Sequence, residues 1–155
     1  MEQRDRQFAP RLLVVPVGST VTFPNFDSVY HNVFSSSEVK PFDLGIYKAG
    51  QARQMVFDKV GIVTLSCNLH ANMSAHIVVV GAPHYVITDD KGRFTFNSLE
   101  PGVYKVLAWS DRSAAPITQE ITIKPERNQV TLKIKADGPA GARPDKFGVP
   151  RAPKT

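Results

Sequence analysis

Twelve prolines and ten glycines break this 155-residue chain so often that no amphipathic stretch of three or more helical turns stands between them. Proline fixes its own φ and lacks an amide donor, and glycine accepts the positive φ of tight reversals. What lies between them is a series of short runs rich in Val, Ile, Thr and Phe, residues suited to a pleated, half-buried surface. At 42% hydrophobic residues, the chain has apolar surface enough for an ordinary globular core. An all-β fold, with a β-sandwich as the default, follows from this pattern.

The first 81 residues supply six strand candidates: Leu12 to Val17, Ser19 to Phe23, His31 to Ser35, Arg53 to Phe57, Ile62 to Cys67 and Ala75 to Val80. Val17-Gly18-Ser19, Pro24-Asn25-Phe26-Asp27, Lys48-Ala49-Gly50 and Lys59-Val60-Gly61 offer the turn residues between them. Alternation sets Val63, Leu65 and Cys67 on one face of their strand, the core side. A second unit is expected over 82–136. It holds a hairpin built on Asp89-Asp90-Lys91-Gly92 between Tyr85 to Thr88 and Arg93 to Phe96, then strands at Tyr104 to Trp109, Gln119 to Ile123 and Gln129 to Lys135. In the last of these Val130, Leu132 and Ile134 are expected to face inward. Residues 137–155 are Gly, Pro, Ala and charge with a lone Phe147, a composition that buries too little apolar surface to offset ordering entropy, so a flexible basic tail is expected.

Several classes of function fall away. Net charge is +5 with Lys and Arg scattered, so no nucleic-acid patch forms, although an acidic partner is compatible with it. No apolar run approaches the length of a membrane span, and Met1 to Arg6 has no apolar core of an export signal. One cysteine makes no internal disulfide.

The chemistry concentrates in Cys67-Asn68-Leu69-His70-Ala71-Asn72-Met73, which sets a thiolate, an imidazole and a thioether three residues apart. A soft thiolate, neutral imidazoles and a weak axial Met are the ligand set of copper that alternates between Cu(I) and Cu(II). The fourth ligand must come from elsewhere, and His31, after a strand-like run and the turn at Asn25 to Ser28, is placed for it. Taken singly, each residue has a plainer reading: a buried Cys as a small hydrophobe, a surface His, a core Met. Zinc is the competing metal, but it takes a further His, Cys or carboxylate rather than a thioether. His76 and His84 are read as structural or surface residues. Asp89 and Asp90 are read as turn residues, far short of a calcium cage.

His31 is followed by Asn32, and with the Cys-x-x-His-x-x-Met loop this resembles the cupredoxins, blue copper proteins of the plastocyanin and amicyanin type. The runs Leu13 to Ser19, Phe23-Pro-Asn25, His31 to Ser35, Phe42 to Gly45 and Cys67 to His70 are similar to the plastocyanin-like proteins labelled methylamine-utilisation proteins. The resemblance implies a cupredoxin-like Greek-key β-sandwich over 1–81, and one type 1 copper held by His31, Cys67, His70 and Met73. It also implies that Asn32 bonds across to the ligand loop, that His70 is the electron exit, and that a redox partner protein docks there in the periplasm or another exported compartment. Thr88 to Phe94 and Pro101 to Tyr104, leading to Trp109, are similar to the carboxypeptidase-regulatory or transthyretin-like β-domain, which implies a small second sandwich over 82–136.

Three functions compete at this point. A one-electron carrier needs only the single site and no enzymatic activity. A copper oxidase or nitrite reductase needs a second copper centre, for which only His76 and His84 are left. A binding module would use the second unit to dock and the copper site for metal handling or stability.

Overall fold

The computed structural model describes residues 1–126, 128–138 and 143–151. Among them all regular structure is β, in two compact units: Met1–Pro83 together with 143–151, and the described residues of His84–Ala140.

In the first unit β3 (Leu12–Pro16), β9 (Ser74–Val80), β8 (Gly61–Ser66), β5 (His31–Ser35) and β6 (Phe42–Tyr47) lie side by side in that order as a five-stranded sheet. β3 runs parallel to β9, and the other neighbours are antiparallel. The second layer pairs β4 (Ser19–Pro24) with β7 (Ala52–Phe57). The hairpin of β1 (Glu2–Arg4) and β2 (Gln7–Ala9) reaches this layer through a bridge from Gln3 to Asn25.

The alternation along the strands builds the core between the layers. On β4, Val21 and Phe23 are buried while Thr20 and Thr22 face water, and Phe57 on β7 joins them. Val33, Val63, Leu65, Ile77 and Val79 meet them from the five-stranded sheet. Each such side chain, fully buried, stabilises the fold by roughly 1.5–3 kcal/mol. β5 departs from alternation, because all five of its residues are buried, His31, Asn32 and Ser35 included. A bulge between Asn32 and Phe34 in its pairing with β6 lets consecutive polar side chains be used at one end of the sandwich.

All six strands expected in this unit form, with ends shifted by a residue, whereas β1, β2 and β6 were not anticipated. Two further expectations need correction. Residues 143–151 do not hang free. They are hydrogen-bonded to the 67–73 loop through Lys146 and Arg151, so polar contacts to backbone order a segment that lacks apolar surface to bury. The rest of the expected tail past 138 lies outside the described residues.

The second unit forms one antiparallel pair, β10 (Gly102–Ala108) with β11 (Ile117–Ile123), rather than the small sandwich expected. The Asp89 turn closes as anticipated, with the Asp89 amide donating to Arg93 O at 2.9 Å, but the runs on either side of it join no sheet. Gln129 to Lys135 also joins none, and Ile134 is exposed rather than inward. Among the described residues this unit has no buried hydrophobic side chain; Val103 and Leu107 stand exposed at 63% and 62%. With no second layer to bury a face, only the local hairpin pairing holds.

Candidate metal centre

Three side chains from two strand ends converge at one end of the sandwich. His31 is the first residue of β5, Cys67 directly follows β8, and His70 lies in the loop between β8 and β9. That loop is closed on itself, with the Met73 amide donating to His70 O at 3.0 Å and the Cys67 amide to Met73 O at 3.2 Å. His31 Nδ1 lies 3.1 Å from His70 Nδ1, while Cys67 Sγ is 3.9 Å from the first and 3.7 Å from the second. A point equidistant from these three atoms is about 2.1 Å from each, which matches the ~2.0–2.3 Å of metal–imidazole and metal–thiolate bonds. The donor set therefore fits a metal ion without movement of the chain. His31 and Cys67 are wholly buried and His70 is half-buried, so His70 is the residue of the cluster that reaches solvent. Met73 is also wholly buried, in the core beneath the loop.

The surroundings fix these side chains. His31 Nε2 lies 2.6 Å from Asp27 Oδ2, a contact in which Nε2 donates to the carboxylate and which turns Nδ1 toward the cluster. Asp27 is itself held by the amides of Asp5 and Arg6, at 2.6 and 2.9 Å, in the positive-φ turn between β1 and β2. Burial pushes the Asp27 carboxyl up, but the hydrogen bonds from the Arg6 amide, His31 and the Asp5 amide outweigh it and hold it below the usual carboxylate range. Asn32 acts in three directions. Its Nδ2 donates to Asp43 Oδ1 at 2.6 Å and to Gly45 O at 3.1 Å, and its Oδ1 accepts from the Asn68 amide at 3.2 Å. One side chain thus joins β5, β6 and the loop.

Asp27 was missed in the sequence. The signal available was its spacing four residues before His31, but its neighbours Asn25 and Ser28 read as turn chemistry. His76 is buried in β9 with Nδ1 3.2 Å from Thr64 Oγ1, away from the cluster. Tyr47, opposite His31 in the β5–β6 register, is buried, and that burial pushes its phenol up to about 12 despite the hydrogen bond from Gln3. Cys67, His31 and Asp27 also form the series of a nucleophilic triad, but a sulfur with no solvent exposure offers no approach to a substrate carbonyl.

What the fold and the cluster define is an all-β sandwich with a His₂Cys cluster at one end that could hold a metal ion. The chain is similar to a reduced mutant of amicyanin, at 27% identity over 51% of this chain and 78% of that one, with a TM-score of 0.48. It is similar to a purple cupredoxin from Nitrosopumilus maritimus, at 30% identity over 46% and 80%, with a TM-score of 0.44. It is also similar to a copper-containing nitrite reductase from Thermus scotoductus, at 26% identity over 51% of this chain but 21% of that one, with a TM-score of 0.49. No family model matches the chain, and neither does any curated protein.

Proposed function

We propose that the chain is a cupredoxin-type blue copper protein that carries single electrons, with copper held by His31, Cys67, His70 and Met73. The observation behind this reading is the triangle of His31, Cys67 and His70 donor atoms, whose sides suit a bound ion. Copper, when bound, supplies a one-electron couple. The chain supplies fixed donors. Asp27 holds the His31 ring, Asn32 holds the loop, and the buried Cys67 and Met73 cannot swing away, so the ligands need little rearrangement between oxidation states. The half-buried His70, beside Leu69 at 39% exposure, offers a partner protein an edge of the site. One copper per chain is expected, because among the described residues the His, Cys, Asp and Glu side chains converge in one such cluster. An exported compartment, where Cu(II) is available and thiols compete less, suits this ligand set.

A stoichiometric Cu(II) titration followed by visible absorption and EPR tests the reading. An intense thiolate-to-copper band with narrow hyperfine splitting, saturating at one copper per chain and bleaching reversibly with ascorbate, is the expected result. The weak spectrum of ordinary His-bound copper would overturn it. A metal-handling module, the alternative, would surrender Cu(I) to chelators where a carrier retains it through repeated cycles.

A further inference from the structure

The segment 143–151 is folded on itself and bonded to the ligand loop at once. Asp145 closes it as a turn, its carboxylate accepting from the amides of Phe147 and Val149 at 2.8 and 2.9 Å. Arg151 then spreads its guanidinium over four carbonyls. Nε donates to Arg143 O at 2.9 Å and Nη2 to Pro144 O at 3.2 Å, while Nη1 donates to Cys67 O at 2.8 Å and to Asn68 O at 3.4 Å. Lys146 adds a second anchor, its amide donating to Asn68 Oδ1 at 3.2 Å and its Nζ to Asp43 Oδ2 at 2.8 Å. Asp43 in turn accepts from Asn32, and Asn32 from the Asn68 amide. The bonds close a ring, Asn32 to Asn68 to Lys146 to Asp43 and back, and Arg151 sits against the carbonyl of Cys67 itself.

We infer that residues 143–151 are a clamp that keeps the ligand loop closed on its site, with Arg151 as the positioning residue. The purpose of the clamp rests on the copper reading; its contacts do not. A planar fork of five donors serves carbonyls on both sides of it at once, which the single ammonium of lysine does not do. Together with Asn32 and the loop's own backbone bonds, the clamp holds Cys67 and Asn68 against the strand end, so a metal would meet a formed site. Its cation also lies beside a ligand residue, where it favours the less positive reduced centre.

The test uses the full chain with Arg151→Lys and Arg151→Gln. In metal-free protein, alkylation of Cys67 by iodoacetamide is expected to speed up at least tenfold in both variants, and to keep that gain in low urea, as local opening does. With copper loaded, Arg151→Gln is expected to shift the Cu(II)/Cu(I) ratio at a fixed ambient potential about tenfold toward Cu(II), about 59 mV for a one-electron couple. Alkylation within twofold of the parent chain, or faster only in proportion to lost global stability, overturns the clamp. Faster alkylation in variants of a parent that binds no copper upholds the clamp and overturns the copper reading instead.

Discussion

At the scale of single residues, the site depends on side chains that never touch the metal as much as on those that would. Asp27 anchors one ring of the pair, and its own oxygens are occupied by two amides of the β1–β2 turn. Asp27→Ala frees the His31 ring to change tautomer and orientation, and copper affinity measured by chelator competition is expected to fall ~10–100-fold. Cys67→Ser is expected to abolish the thiolate band at once. On the copper reading, Met73→Leu is expected to keep copper and raise the potential, because a thioether donor would be lost while the fully buried position still takes an apolar side chain of similar volume. A blue Cys67→Ser protein would remove the ligand assignment altogether.

At the scale of elements, β8 begins at a residue that admits no side chain. Gly61 has φ +148°, and a Cβ placed there would lie 2.7 Å from Val39 Cγ2. Gly61→Ala is expected to destabilise the chain by ~1–3 kcal/mol in urea unfolding, with partial recovery in the Val39→Ala background. β6 has an acid-sensitive attachment. Burial raises the Asp43 carboxyl, but Lys146, the Gly45 amide and Asn32 hold it below its ordinary range. Its contribution is therefore complete above the unfolded value of about 3.9 and is lost as pH falls through the lower folded value. Asp43→Asn is expected to flatten the acid limb of the stability profile below pH 4, measured by thermal melts. These elements also show what could be read in advance. β4 and β8 were legible because alternating apolar residues mark a half-buried strand, and the convergence of His31, Cys67 and His70 because their types and spacing are rarely set by packing alone. β1 was not legible, since its one inward residue is the polar Gln3, buried through bonds to Tyr47 and the carbonyls of Phe23 and Pro24. Segment 143–151 was misread for a related reason, because apolar content says nothing of what one guanidinium does for four carbonyls.

At the scale of the whole molecule, stability is unevenly shared. Among the described residues the buried apolar side chains all belong to the first unit, and the β10–β11 pair has none. Native-state hydrogen exchange is expected to protect β8 and β9 to the level of global unfolding, while β10 and β11 exchange through smaller openings; equal protection in both units would contradict this. The parallel pairing of β3 with β9 sets an order of events as well. Leu12–Pro16 find their partners at His76–Val80, past His31, Cys67 and His70, so this contact closes a long loop and its entropy is lost before the sheet repays it. Until that long-range pairing forms, β9 and the 67–73 loop that leads into it lack one of the strands that hold them. The burial of Cys67 thus comes with a late, long-range contact, and a chain still folding is expected to be alkylated at Cys67 faster than the folded one.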